Sequence, residues 1–423
     1  MKKFAKQAVL RLLTRLAKIR LKRLGLFVIG VTGSVGKTST KEAIFNLLHK
    51  HYQVIRSDKS YNTEFGLPLA ILEQNSGFSS PLKWIQTILG AVYKAFFGGR
   101  HLQMLVLEMG VDKPGDMDAL LKIVRPHISI MTNIRAVHLD KGQFKDLDDI
   151  FLEKKKIVEA LPEKGVAVLN ADDPYISTLR GKLNCKVLWY GRADFADLRS
   201  FGLKTSLEEV AFKIAFEDQE TVFRFPYPGE FQDYILLPAF AVGLILGMTL
   251  KEITEFLHDF RLPPGRMNPI KGIHDSLILD SSYNASPEAV KYALNVLGMA
   301  QGRRIAVLGD MNELGVYSDA KHREIGAIVV NKTDMLVTVG NFSRLISEEA
   351  VSKGFPADAV MHFNDAYSAA SALKGKISAG DTILVKGSQN KIRLERLVKE
   401  LMLDKSKAAA LLVRQSREWE KIK

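Results

Sequence analysis

Cysteine is nearly absent from this chain: Cys185 is the only one among 423 residues. A single thiol excludes an intramolecular disulfide and any cysteine-held zinc site, and it fits a reducing, cytoplasmic setting. No apolar run reaches the roughly 20 residues that a bilayer-spanning helix needs. The N-terminal basic residues are interspersed among apolar ones instead of preceding them, which is not the layout of a signal peptide. Carboxylates are missing from two stretches, one before Glu42 and one from Gln74 to Leu107. Internal repeats and low-complexity tracts are also lacking.

What is present is a 47% hydrophobic chain with a formal charge of +13, too long for one ordinary core and so expected to form two or three globular domains. The first segment carries Lys2, Lys3, Lys6, Arg11, Arg15, Lys18, Arg20, Lys22 and Arg23. Such charge suits nucleic acid, an anionic membrane surface or a phosphorylated substrate. No nucleic-acid motif accompanies it and aromatics do not interleave with the charges, so nucleic acid is not expected as a partner. Ala5, Val9, Leu12, Leu16 and Ile19 recur at helical spacing, so residues 1–25 read as a basic amphipathic helix, either packed on the protein body or lying in a membrane interface.

Leu26–Val31, Met104–Leu107, Ile128–Thr132 and Val166–Leu169 read as buried parallel strands separated by helical pattern, the first of these helices over Lys41–Lys50. Phe201–Phe225 alternates as antiparallel edge strands do. A second alternating series contains Ile278–Asp280, Arg304–Leu308, Met335–Val339 and Thr382–Val385, and Leu262-Pro263-Pro264-Gly265 is a natural hinge before it. The expectation is an α/β protein. Residues 26–261 form a P-loop central ATPase domain with a mainly parallel sheet and an insertion at 76–103. Residues 262–423 form a Rossmann-like C-terminal domain.

The strongest chemical signal is Thr32-Gly33-Ser34-Val35-Gly36-Lys37-Thr38, running on into Ser39. A strand precedes it and a helix follows, which is the setting of a phosphate-binding loop. The glycines let backbone N–H groups turn toward phosphate oxygens, and the helix N-terminus adds a favourable dipole. Lys37 would reach the β- and γ-phosphates and Thr38 would offer its hydroxyl to Mg²⁺. Val31 stands where the general spacing has its first glycine, so this is the shortened Gly-x-x-Gly-Lys-Thr form. Glu108 ends a neighbouring strand, where a metal ligand or water-positioning group belongs, although a strand-end Glu is as often a solvated loop residue. His138 also follows a strand; a lone His is usually structural, and its company makes it a metal candidate.

These motifs continue in a fixed order. Asn62-Thr63-Glu64-Phe65-Gly66-Leu67-Pro68, Glu108-Met109-Gly110, Thr132-Asn133-Ile134 with His138, and Asn170-Ala171-Asp172-Asp173 are followed by Gly265-Arg266. Asp280-Ser281-Ser282-Tyr283-Asn284-Ala285-Ser286-Pro287, Leu308-Gly309-Asp310-Met311-Asn312-Glu313-Leu314-Gly315 and Val385-Lys386-Gly387-Ser388 complete the set. In this order the chain resembles the Mur ligases of cell-wall synthesis over roughly residues 27–400. The resemblance implies an ATP-dependent ligase that joins a carboxylate to an amine through an acyl-phosphate, with ATP and two Mg²⁺ ions as cofactors. It implies a cell-wall precursor as the carboxylate and D-alanyl-D-alanine, another short peptide or an amino acid as the amine. It further implies that Thr38 and Glu108 hold one Mg²⁺ and that His138 helps hold the other. A carbamylated lysine is implied at Lys154, with Lys155 and Lys156 standing next to it and a solvated basic run as the alternative. Asp280, Tyr283 and Asn284 would meet the nucleotide or the amine on domain closure, Arg266 would approach the phosphates from the hinge, and Asn62, Glu64, Lys386 and Ser388 would contact substrate.

Three departures from the family pattern matter. Only the basic helix precedes the phosphate loop, so the usual platform for the uridine diphosphate of the substrate is expected to be missing. The adenine-holding segment reads Gly229-Glu230-Phe231-Gln232-Asp233-Tyr234-Ile235, which leaves Gln232 to bond adenine. Residues 76–103 exceed the usual loop and carry an apolar, acid-free helix pattern, either a core-packed insertion or a second membrane-facing segment. Peripheral attachment to the inner face of an anionic membrane, a lipid-linked acceptor, and a nucleotide-binding membrane protein without ligase activity are the corresponding alternative expectations.

Overall fold

A computed structural model of the chain describes residues 2–57, 61–77, 80–389, 392–416 and 419, with side chains from residue 6 onward. Two sheets divide the strands. The first contains β1 (Phe27–Thr32), β2 (Val54–Arg56), β3 (Met104–Glu108), β4 (Ile128–Met131), β5 (Val166–Asn170), β6 (Lys186–Gly191), β7 (Leu198–Thr205), β8 (Val210–Phe216) and β9 (Gln219–Phe225). Their order is β2-β3-β1-β4-β5-β6-β7-β8-β9. Every pairing from β2 across to β7 is parallel, and β7-β8-β9 turn antiparallel. The alternation read in Phe201–Phe225 is this edge.

Strands β1, β3 and β4 are buried on both faces, which is why they read as continuous apolar runs. Along β1, Val28 packs into one core while Ile29 and Val31 pack into the other. Helices α1 (Lys2–Leu24), α2 (Lys37–Leu48), α3 (Gly66–Ile71), α4 (Pro81–Phe96), α5 (Asp116–Leu121), α6 (Leu147–Glu159) and α7 (Gln232–Ile245) cover the sheet. In α1, Leu13, Leu16, Ala17 and Arg20 form one inward stripe. The Arg20 guanidinium is fully buried, pairs with Glu73 and donates to the Ile71 carbonyl at 2.8 Å. The first helix is therefore packed on the body along this stripe, and its other face is exposed and basic. Segment 76–103 is built around α4, with Ser80 accepting from the Lys83 N–H and Pro81 in the first turn.

The second sheet contains β10 (Asn268–Lys271), β11 (Leu277–Asp280), β12 (Arg304–Gly309), β13 (Met335–Val339), β14 (Val360–Phe363) and β15 (Thr382–Lys386). Its order is β10-β11-β15-β12-β13-β14, parallel except for β10. The chain passes from one sheet to the other through Leu262–Gly265. Fully buried members of the first two cores end at Leu262, and those of the last two begin at Met267.

Candidate functional site

A cleft of about 750 Å³ opens where the loops after β1, β3, β4 and β5 face those after β11, β12 and β15. Loops beyond the carboxyl ends of parallel strands are where α/β sheets bind ligands, and the volume suits a nucleotide and part of a second substrate. Ser34 through Ser39, Asn62, Glu108, His138, Gln232, Arg266, Tyr283, Asn284 and Lys386 all line it. Thr32, Gly33, Glu64, Lys154, Asp280 and Ser388 do not.

The phosphate loop is braced from behind. Thr132 donates from Oγ1 to the Val35 carbonyl at 2.7 Å, and Asn133 accepts from the Val35 N–H at 2.8 Å while donating to the Val35 carbonyl at 3.0 Å. The Ser34 hydroxyl donates to the Arg135 carbonyl at 3.0 Å. Gly33 sits at φ +143° against this brace, and a Cβ there would lie 2.0 Å from Thr132 Oγ1. Gly33→Ala is therefore expected to cost about 1–3 kcal/mol through strain and displacement of Thr132. Thermal denaturation with and without ADP checks this: both the melting temperature and the stabilisation by ADP should fall. Thr32, at the end of β1, uses its hydroxyl to donate to the Met109 carbonyl at 2.8 Å, so it fastens β1 to the loop after β3.

Lys37 opens α2, and its ammonium donates to the Ser34 carbonyl at 3.1 Å. Enclosure in the cleft pushes its pKa down, against the opposing pull of Glu108 and Asp112. Thr38 Oγ1 donates to Glu108 Oε2 at 2.7 Å, and Asn62 Nδ2 donates to Glu108 Oε1 at 3.1 Å. A hydroxyl and a buried carboxylate thus meet at the end of the phosphate loop, a set of hard oxygen donors suited to Mg²⁺.

His138 adopts φ +58°. Its Nδ1 lies 2.7 Å from Glu313 Oε2 and its Nε2 lies 3.5 Å from Asp112 Oδ1. His138 holds the Glu313 carboxyl below its usual range. Glu313 comes from the second half of the chain, where the Leu139 N–H donates to the Glu313 carbonyl at 3.1 Å and Asp140 Oδ1 accepts from the Gly315 N–H at 2.9 Å. Sequence reasoning assigned roles to neither Glu313 nor Asp112. Glu313 lay inside a recognised motif, whereas Asp112 carried no local signal.

Lys154 lies on the buried face of α6, and its Nζ has no hydrogen-bond partner among the described residues. Burial, reinforced by the nearby Lys37 charge, pushes its pKa well below 10.5. Its neighbours differ: Lys155 pairs with Glu159 at 2.9 Å, and Lys156 pairs with Asp118 and Glu153, each at 2.7 Å. The inward position of α6 is Lys154, beneath the cleft wall and within electrostatic reach of Lys37, Asp112 and Glu108.

Across the cleft, the Arg266 guanidinium stacks on the Tyr283 ring at 4.0 Å. Buried Lys386 donates to Ser281 Oγ at 3.1 Å and to the Asn284 carbonyl at 3.0 Å, and burial lowers its pKa to about 8. Asp280, fully buried below, accepts from the Ser282 N–H at 3.0 Å and is raised by burial to about 6. Ser388 accepts from the Asn312 N–H at 2.9 Å and donates to the Ala285 carbonyl at 3.1 Å, so its hydroxyl joins two loops instead of facing the cleft. Glu64 is exposed outside the cleft. Gln232 opens α7, donates to the Pro228 carbonyl at 2.9 Å and keeps its amide oxygen buried without a partner among the described residues.

The family model described as "Mur ligase middle domain" matches residues 31–243, and that described as "Mur ligase, glutamate ligase domain" matches residues 265–389. The UDP-N-acetylmuramoyl-tripeptide–D-alanyl-D-alanine ligase of Bacillus subtilis is 31% identical over 394 residues, covering 92% of this chain and 79% of that protein. Among solved structures, a MurF ligase from Thermotoga maritima in complex with ADP is similar at a TM-score of 0.76 and 27% identity, over 92% of this chain and 83% of that one. A MurF structure from Acinetobacter baumannii is similar at 0.78 and 25% identity, over 93% and 80%.

Proposed function

The chain belongs to the Mur ligase family and is an ATP-dependent, ADP-forming ligase, and from that premise we propose that it adds D-alanyl-D-alanine, or a similar short peptide, to the carboxylate of a cell-wall precursor. The observation that carries the reading is the cleft itself. A braced phosphate loop, the Thr38–Glu108 pair and Arg266, Tyr283 and Lys386 converge there from the two halves of the chain. Similarity to ligases named for D-alanyl-D-alanine addition supports the choice of amine.

In the first step a substrate carboxylate oxygen attacks the γ-phosphorus of ATP, the bond to the bridging oxygen breaks, and ADP leaves. The amine nitrogen then attacks the acyl carbon. Phosphate departs with the C–O electron pair, the nitrogen loses its proton, and an amide remains. Lys37 and the backbone N–H groups opening α2 would carry the negative charge that moves between the phosphates. Gln232, with its free amide oxygen, would accept from the adenine amino group. Arg266 would face the phosphates from the linker, and Asn284 and Lys386 would orient the incoming peptide. Closure of the two halves around these groups would keep water from the acyl-phosphate.

Thr38 and Glu108 would hold one Mg²⁺, and His138 with a carbamylated Lys154 would serve a second. The orphaned Lys154 Nζ fits this role: a neutral buried amine adds to CO₂, losing a proton, and becomes an anionic oxygen ligand. Bound Mg²⁺ would supply charge neutralisation at the transferring phosphoryl group.

Phosphate release from ATP in the presence of UDP-N-acetylmuramoyl-tripeptide tests the reading, run with and without D-alanyl-D-alanine. Release that requires both, with the new amide seen by mass spectrometry, is the expected result. Release only with a lipid-linked carboxylate would replace the acyl substrate and keep the chemistry. No release with any amine, from protein that binds ATP, would overturn it.

A further inference from the structure

Helix α4 is built inside out. Its buried residues are small, namely Thr87, Ala91 and Ala95. Trp84 packs inward against the core, but most of the helix's other large apolar side chains face outward: Leu82, Ile85, Leu89, Tyr93, Phe96 and the adjoining Phe97 form one stripe, with Leu82, Leu89 and Phe97 exposed by 74, 66 and 68%. A helix that served only the core would turn that stripe inward. A contiguous apolar face of this kind marks a surface that another phase or partner covers.

The charge around the stripe names the occupant. Segment 74–107 has no carboxylate. Beside α4 runs α1, held by Arg23, which donates to the Ala95 carbonyl at 2.9 Å, and its exposed side presents Arg11, Arg15, Lys18 and Lys22. A groove of about 500 Å³ beside the last turns of α1 is lined by Lys18, Lys22, Lys122 and Arg125 and by no carboxylate. None of these four cations makes an ion pair among the described residues. Apolar side chains flanked by unpaired cations match an anionic bilayer surface, where acyl chains take the first and lipid phosphates the second. No helix among the described residues is long and apolar enough to cross a membrane, so the contact is one that lies on the surface.

We propose that the α1–α4 face docks this ligase on an anionic membrane, with α4 lying in the interface. The face is linked to the cleft by a short path. The Tyr61 hydroxyl accepts from the Ser76 N–H at 2.8 Å, the Phe65 and Trp84 rings meet edge to face at 5.6 Å, and Asn62 between Tyr61 and Phe65 lines the cleft. Docking would hold the Asn62 loop close to the bilayer, whichever carboxylate is ligated.

Co-sedimentation of the full chain with vesicles tests the proposal, comparing phosphatidylcholine alone with vesicles containing about three parts in ten phosphatidylglycerol. The wild type should bind the anionic vesicles at least about tenfold more tightly than the neutral ones. The double substitution Ile85→Glu/Leu89→Glu should weaken that binding by about tenfold or more, and ADP affinity, read on the same protein as a control for folding, should not change. Absence of wild-type binding at about 0.1 M salt would overturn the proposal. Unaltered binding by the double variant would overturn it as well. A dimer that these substitutions dissolve, without vesicle binding, would assign the face to a second copy of the chain and equally overturn it.

Discussion

Lys37→Ala is expected to slow turnover severely while leaving the fold intact. The side chain sits at the mouth of α2, and among the described residues its one hydrogen bond reaches three residues back to the Ser34 carbonyl, so truncation removes no long-range hydrogen bond seen there. Its pKa is lowered by enclosure and raised by Glu108 and Asp112. The ammonium is thus kept in a partly desolvated site, where its attraction for phosphate oxygens is stronger than in water. Removal of one such preorganised charge should cost about 10²–10³-fold in kcat, with a melting temperature close to wild type in the absence of nucleotide. Lys37→Arg should recover little, because a planar guanidinium cannot take the place of a compact ammonium beneath the loop. Full activity in Lys37→Ala, measured as ADP formation, would remove the phosphate loop from the mechanism.

The second large effect concerns Lys154, where stability and activity should move in opposite directions. Its amine is fully buried with no hydrogen-bond partner among the described residues, an arrangement that costs about 1–3 kcal/mol relative to a satisfied or apolar group. Lys154→Met keeps most of the volume and removes the polar atom. It should raise the melting temperature of the metal-free protein, measured after bicarbonate is removed. The same substitution should lower ligation by at least about 100-fold, because the anionic ligand that carbamylation would supply cannot form. Lys154→Ala should be equally inactive yet partly restored by acetate or formate, which can place a carboxylate in the vacated space. Lys155→Ala serves as a control, since its side chain ends in an ion pair with exposed Glu159. A stabilised and fully active Lys154→Met would leave the buried lysine without a catalytic purpose.

The buried lysine also illustrates what a sequence carries. Within the run Lys154-Lys155-Lys156, helical spacing from Ile150 to Ile157 and Val158 places Lys154 on the inward face, so its orientation was legible from periodicity once α6 was accepted. The parallel strands were legible for a similar reason, since β1, β3 and β4 are buried on both sides and read as unbroken apolar runs. By contrast β2 spans three residues and β10 four, too few for any period to register. The exact start of α2 was also hidden: helical pattern is visible from Lys41, but Gly36 and Lys37 read first as loop residues, and the left-handed conformation of Gly36 is what allows the helix to begin there.

The site was legible where one strand, loop and helix supply the chemistry, as in Thr32–Thr38, and where a carboxylate ends the neighbouring strand, as Glu108 does. It was not legible where distant segments meet. The approach of Glu313 to His138 bridges 175 positions of chain and depends on how the two sheets face each other. Ser388 shows the reverse case, in which a residue with suitable chemistry spends its hydroxyl on Asn312 and Ala285. Nothing local distinguishes a serine that faces a cleft from one that ties two loops together.

The clean break between the cores at Leu262 and Met267 has a consequence for biosynthesis. All nine strands of the first sheet, and the helices that cover it, precede the first strand of the second sheet in the chain and are synthesised before it. The nucleotide-gripping half can acquire its core while the other half is still being translated. A nascent chain stalled beyond the proline-rich linker would already present a formed phosphate loop, and ATP could act as a folding ligand before the enzyme exists as a catalyst.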